Sequence, residues 1–130
     1  MIVVDSSVWI DYFGGKNTPA AEKLDSLLGQ TSIAAGDLML VEVLQGFRTD
    51  KDYAKARDLL LSLTIVKLLN TSIALRSAAN FRTLRKKGVT VRKTIDTIIA
   101  TYCIENRPAL LYSDKDFQPF QEHLNLQSAL

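Results

Sequence analysis

Short, uninterrupted apolar runs along the chain predict buried β-strands, and stretches in which apolar residues recur every three or four positions predict helices. Strands are predicted at residues 2–4, 31–35, 64–66 and 109–112, with an edge strand near 124–126. Helices are predicted at residues 8–13, 18–29, 38–47, 52–63, 71–87, 94–103 and 117–122. Ser6 or Ser7 is expected to cap the first of these helices.

The predicted strands are separated by helices, and their apolar runs do not alternate with polar residues. This order is typical of a parallel sheet that is covered by helices on both faces. We therefore expect a three-layer α/β/α domain with a central, mainly parallel sheet of four or five strands. The chain shows no internal repeat, low-complexity stretch or linker, so residues 1–130 are expected to form a single domain.

The composition is that of an ordinary globular protein, with 47% hydrophobic and 23% charged residues among 130. A single cysteine, Cys103, excludes an internal disulfide, and a single histidine, His123, excludes a histidine-based zinc site. No apolar run approaches the roughly 20 residues that a membrane span needs. The amino end lacks the pattern of a secretory signal, so we expect a cytoplasmic protein.

The net charge of +2 is unremarkable, but the charges are unevenly distributed. Residues 76–93 contain seven basic side chains and no acidic one. Such a run is typical of a solvated helix face, and it is equally suited to binding the phosphates of a nucleic acid.

Four carboxylates occupy positions where their charge needs an explanation. Asp5 and Asp114 each follow a predicted strand, Glu42 lies in a helix that is apolar nearly all round, and Asp96 lies in the first turn of a helix. Each has an ordinary structural explanation. Asp5 and Asp114 could cap the helices that follow them, and Asp96 could interact favourably with the dipole of its helix. Glu42 could reach solvent from an exposed edge of its helix or form an ion pair with Arg48. The alternative is one shared site at the carboxyl edge of the sheet, where open α/β folds bind ligands.

A shared site of this kind would contain only oxygen ligands of high negative charge. Such ligands favour hard cations, Mg²⁺ or Mn²⁺. Because several carboxylates in one cluster repel each other, a cation is nearly required if they converge. A cation held in this way is able to activate water for phosphodiester hydrolysis.

Four segments of the chain resemble, in order, the motifs of PIN-domain proteins. They are IVVDSSVWI at residues 2–10, LVEVLQG at 40–46, TVRKTIDTIIA at 90–100 and LYSDKDF at 111–117. Within that family the chain is most similar to the VapC toxins of bacterial toxin–antitoxin pairs. The resemblance implies a PIN-like fold over residues 1–130.

The resemblance also implies a set of site residues. Asp5, Glu42, Asp96 and Asp114 would form the catalytic acidic pocket and hold the metal. Asp5 and Asp96 would be the principal direct ligands, and Asp116 would be a secondary ligand.

Three further residues would support this pocket. Ser7 would hydrogen-bond Asp5 or a metal-bound water, Thr94 would orient Asp96 as the cap of its helix, and Arg92 would face the substrate phosphate or the pocket.

The activity implied is that of a Mg²⁺- or Mn²⁺-dependent endoribonuclease that acts as a toxin. Its implied partners are RNA, a VapB-like antitoxin that blocks the pocket, and a second copy in a homodimer. The alternatives are a catalytically inactive PIN-fold binding protein and a phosphoacceptor receiver domain. A receiver would carry paired acids after the first strand, where Asp5 is followed here by Ser6 and Ser7. A haloacid-dehalogenase-like phosphatase would need a second Asp at position 7.

Overall fold

The computed structural model describes all 130 residues and is built around a four-stranded parallel sheet. Its strands lie in the order β3-β2-β1-β4, and each neighbouring pair is parallel. The strands are β1 (Ile2–Val4), β2 (Ile33–Gly36), β3 (Thr64–Val66) and β4 (Ala109–Leu111). β1 and β4, the first and last in the chain, are therefore neighbours in the sheet, and Val4 is opposite Leu111.

Seven α-helices surround the sheet. They are α1 (Ser6–Phe13), α2 (Pro19–Leu27), α3 (Asp37–Leu44), α4 (Asp50–Leu61), α5 (Thr71–Lys86), α6 (Thr94–Asn106) and α7 (Gln118–Leu124). A short 3₁₀ turn, Lys115–Phe117, precedes α7. The side chains of Thr18, Thr49 and Asn70 cap α2, α4 and α5 by accepting a backbone N–H. None of the helices combines the length and apolar character that crossing a bilayer requires.

Successive strand residues point to opposite faces of the sheet and supply two separate cores. Val3 and Leu110 pack on one face, in a cluster to which α5, α6 and α7 contribute. Val4 and Leu111 pack on the other face, where the largest buried side chain is Trp9 of α1. Because both faces are buried, the strands are apolar throughout, and the predicted three-layer α/β/α class with a parallel sheet is confirmed.

Two details of the prediction are wrong. The edge strand expected near residues 124–126 does not form, because Leu124 ends α7 and Asn125 adopts a left-handed conformation with φ of 64°. The chain instead passes β4 slightly later, where the N–H of Ala129 donates to the carbonyl of Leu110 at 3.0 Å. The cap of α1 is Asp5 rather than Ser6 or Ser7.

Candidate active site

The site begins where β1 ends. The N–H of Asp5 donates to the carbonyl of Leu111 at 2.9 Å, which extends the pairing of β1 with β4 by one step. Asp5 is 4% exposed and caps α1 by accepting the N–H of Ser7 at 3.2 Å. The Ser7 hydroxyl donates to the same carboxylate oxygen at 2.5 Å. Ser7 thus makes the hydrogen bond to Asp5 that the resemblance implies.

Glu42 projects from α3 toward this position and is half-buried. It does not pair with Arg48, and its Oε1 accepts a hydrogen bond from the hydroxyl of Ser6 at 2.7 Å. Ser6 was predicted only as a helix cap, and its contact with Glu42 was not predicted. Two adjacent hydroxyls directly after a strand that ends in Asp were the signal available, since one serine serves Asp5 and the other serves Glu42.

Asp96 lies in the first turn of α6 and is only 5% exposed. Its Oδ2 is buried and has no hydrogen-bond partner. The expectation that Thr94 caps the helix and orients Asp96 is wrong, because Lys93 occupies the cap position and no side chain caps the helix. Thr94 is instead the first helical residue, and it is exposed. A buried carboxylate with an unpaired oxygen needs more than the helix dipole to account for it.

Asp114 and Asp116 complete the cluster on the other side. Asp114 caps the 3₁₀ turn by accepting the N–H of Asp116 at 2.9 Å. One carboxylate oxygen from each of Asp96, Asp114 and Asp116 lies within 4.8 Å of the other two. The Arg92 guanidinium donates to Asp116 at 2.9 Å, so this arginine faces the pocket and leaves most of its side chain exposed.

Two of the acidic groups, Asp5 and Asp96, have raised pKa values. Burial is the main cause that raises the pKa of Asp96 from 3.8 to about 7, with smaller raising contributions from the charges of Asp5, Asp114 and Glu42 and a lowering contribution from Lys93. Burial also raises the pKa of Asp5, with a contribution from Glu42, against the lowering effect of its hydrogen bonds from Ser7. The fold therefore groups Asp96, Asp114 and Asp116 closely enough to share one cation, and it places Asp5 and Glu42 near enough for their charges to act on Asp96.

The donor set fits a hard divalent cation. It consists of carboxylate oxygens alone, with no nitrogen or sulfur ligand, and the unpaired Oδ2 of Asp96 is an acceptor for which the protein provides no donor. A cation would supply that missing partner, and it would offset both the burial of the Asp96 charge and its repulsion by the neighbouring carboxylates.

The fold and this acidic edge define the class to which the protein belongs. A family model described as the PIN domain matches residues 2–122, and the chain belongs to the PIN-domain family. Within it, the chain groups with the VapC proteins. It is 30% identical, over 99% of its length and 98% of theirs, to a VapC ribonuclease of Mycobacterium bovis and to ribonuclease VapC11 of Mycobacterium tuberculosis.

Solved structures show the same fold at lower identity. The chain superposes with a TM-score of 0.75 on VapBC2 from Rickettsia felis bound to a promoter DNA fragment, at 20% identity, covering 98% of this chain and 97% of that one. The TM-score is 0.71 for VapBC-1 from nontypeable Haemophilus influenzae, at 21% identity and with 98% and 96% covered. It is 0.68 for the sarcin-ricin loop cleaving toxin VapC20 of Mycobacterium tuberculosis, at 12% identity and with 91% and 93% covered.

Proposed function

We propose that this protein is a metal-dependent endoribonuclease that hydrolyses RNA phosphodiester bonds and acts as the toxin of a toxin–antitoxin pair. The observation that carries the proposal is the buried carboxylate of Asp96, unpaired at Oδ2 and surrounded by other acids. The relatives that are 30% identical to this chain are named as ribonucleases, which supports RNA hydrolysis as the reaction class.

Asp5, Glu42, Asp96 and Asp114 would hold Mg²⁺ or Mn²⁺, with Asp116 as a further ligand. When bound, the cation supplies an activated water and neutralises charge on the scissile phosphate. Two observations support this assignment. One oxygen each of Asp96, Asp114 and Asp116 lies within 4.8 Å of the other two, and Asp5 directly follows β1 at the carboxyl edge of the sheet, where α/β folds bind their ligands.

The remaining side chains have supporting roles in this proposal. Ser7 and Ser6 hold Asp5 and Glu42 in fixed orientations, because each hydroxyl donates to one carboxylate. Arg92, which contacts Asp116 through a single nitrogen, is free to turn its remaining N–H groups toward a substrate phosphate. Before a cation binds, Asp96 is about half protonated at neutral pH, because burial and the neighbouring carboxylates raise its pKa to about 7.

The test is cleavage of RNA by the purified protein with Mg²⁺ or Mn²⁺, with EDTA, and after Asp96→Asn. We expect cleavage only with the metal and the native carboxylate. Asp58→Asn is the matched control, since the Asp58 side chain is 71% exposed and lies on α4. Cleavage that survives EDTA or Asp96→Asn would reject the metal site. Binding of RNA without cleavage of any RNA would favour the inactive PIN-fold alternative.

The proposed partners are a VapB-like antitoxin and a second copy of the chain. Solved relatives of the same fold are named as VapBC complexes, which supports a protein partner. The surface offers an apolar patch for one: Val41 of α3 is 61% exposed beside Tyr53 of α4, in a groove of about 360 Å³. We expect growth arrest on expression, relief by the antitoxin, and weaker relief after Val41→Asp. Relief that is unchanged in this variant would remove the patch from the antitoxin interface.

A further inference from the structure

A groove of about 500 Å³ lies between α5 and α6, outside the acidic cluster. Its lining combines apolar, hydroxyl and basic side chains, including Ser77, Ala78, Phe81, Arg82, Arg85 and Thr97. A purely apolar helix bound here would leave the basic and hydroxyl side chains without partners, and a small anion would leave the apolar side chains uncovered.

Two hydroxyls in this lining have no partner. Ser77 of α5 is 6% exposed and Thr97 of α6 is 3% exposed, and the hydroxyl oxygen of each is buried without a hydrogen bond. Elsewhere along the same helix pair the equivalent groups are satisfied, since Asn80 donates to the Thr101 hydroxyl at 3.0 Å. Buried polar groups are rarely left unpaired, and these two belong to residues that line the groove, so a rotation of each side chain about χ1 would offer its hydroxyl to a polar ligand.

The charge of the groove identifies the class of ligand. Arg82 and Arg85 line it, and the guanidinium of Arg85 lies 5.7 Å from the centre of the Phe81 ring. Neither arginine forms an ion pair, whereas Arg76 on the same helix pairs with Glu105 at 3.4 Å. A second copy packed here about a twofold axis would bring unpaired arginines together, which disfavours self-association and favours a polyanion.

The groove and the acidic site are linked by a short segment of chain. Arg92 contacts Asp116 in the acidic cluster, and Thr94, two residues later, lines the groove. A ligand extended along this segment, past Lys93, would reach from the acidic cluster to the groove.

We propose that the groove between α5 and α6 binds single-stranded RNA that flanks the cleaved bond. Arg82 and Arg85 contact its phosphates, and a base stacks on the guanidinium of Arg85. The hydroxyls of Ser77 and Thr97, buried in the free protein, rotate on binding and bond to the polar edge of that base. The groove then contributes to the choice of substrate. This inference rests on the proposed function for the identity of the polymer as RNA.

The first test measures binding of a labelled single-stranded RNA by fluorescence anisotropy in EDTA, where no cleavage is expected. The variant Arg82→Gln/Arg85→Gln should bind about tenfold or more weakly. The slope of log K against log salt concentration should fall by about 1.4, for two lost phosphate contacts. The matched control is Lys86→Gln/Lys87→Gln, which removes the same charge beside the groove rather than within it.

The second test removes the hydroxyls without changing charge. Ser77→Ala/Thr97→Val should weaken RNA binding several-fold, leave the salt slope unchanged and not lower the melting temperature, because two unpaired buried hydroxyls are lost. A merely structural role for these residues predicts instead a changed melting temperature with unchanged RNA affinity.

Three outcomes would overturn the inference. Equal weakening by the arginine and lysine variants would mean diffuse electrostatic attraction, and no weakening by either would mean that RNA does not enter the groove. A shift from dimer to monomer in sedimentation caused by the arginine variant would mean that a second copy covers it. Failure of the nuclease proposal is distinguishable, because it appears as absent cleavage with Mg²⁺ or Mn²⁺ while groove-dependent binding in EDTA persists.

Discussion

Replacing Asp96 with Asn should make the metal-free protein more stable above neutral pH, although it removes a residue proposed to be essential for activity. In the native protein without a cation, the Asp96 carboxylate is buried beside Asp5 and Asp114, and its Oδ2 has no donor. Asparagine removes the charge, and its amide is able to donate to the neighbouring carboxylates. The repulsion is thereby replaced by hydrogen bonds.

The size of the effect follows from the pKa of Asp96, which is raised from 3.8 to about 7. Because the folded protein holds this proton more tightly than the unfolded chain does, the contribution to stability is complete below about pH 4 and is lost as the pH rises to about 7. A shift of roughly three pKa units corresponds to about 4 kcal/mol of unfolding free energy. Above about pH 7 Asp96 is ionised in both the folded and the unfolded protein, so the unfolding free energy lost no longer changes with pH.

Urea denaturation in EDTA at about pH 4, 5 and 8 measures this free energy. We expect the difference in unfolding free energy between Asp96→Asn and the native protein to increase by about 3 kcal/mol, in favour of the variant, between about pH 5 and pH 8. Asp58→Asn, on the exposed face of α4, should show no such growth. The reasoning is refuted if the native protein is as stable as Asp96→Asn at about pH 8, or if their difference is independent of pH.

Three further predictions follow from other parts of the molecule. Mn²⁺ at about a hundred times its dissociation constant should stabilise the native protein by about 2.7 kcal/mol in a thermal melt. Asp96→Asn should lose most of this stabilisation, and an equal stabilisation of the variant and the native protein would contradict the metal site. Gly36→Ala should cost about 1–3 kcal/mol in urea denaturation, because a Cβ there would lie 2.3 Å from a methyl of buried Leu68; an unchanged midpoint would contradict the close packing. Cys103, buried and with a pKa raised to about 12, should resist iodoacetamide at about pH 8 until the protein unfolds; rapid alkylation of the folded protein, followed by mass spectrometry, would contradict its burial.

The fold was largely predictable because each strand is buried on both faces. Continuous apolar runs such as residues 2–4 and 109–112 are typical of strands in a covered parallel sheet, and the helical repeats between them supply the cover. The region after α7 was not predictable. Asn125 reverses the chain with a left-handed backbone, and whether the following residues form a strand depends on tertiary pairing that their own pattern does not encode.

The acidic cluster was predictable in its membership but not in its contacts. A carboxylate after a buried strand, as at Asp5, points to the sheet edge by topology alone. The partner of Glu42 depends on how α3 is placed against the start of α1, and short-range patterns do not specify that placement, so Ser6 was missed. The capping role expected of Thr94 failed for a local reason, since the backbone enters the helix one residue earlier, at Lys93.

The segment that follows α7 has a consequence for how the sheet meets other molecules. Leu110 of β4 exchanges hydrogen bonds with Gln127, at 2.8 Å, and with Ala129, at 3.0 Å. These contacts occupy backbone groups that an edge strand would otherwise offer to a foreign chain. The opposite edge is open, since Thr64 and Ile65 of β3 are exposed. The sheet is thus protected against β-aggregation on one border only, and truncation before Gln127 would expose the second border and promote self-assembly into insoluble material.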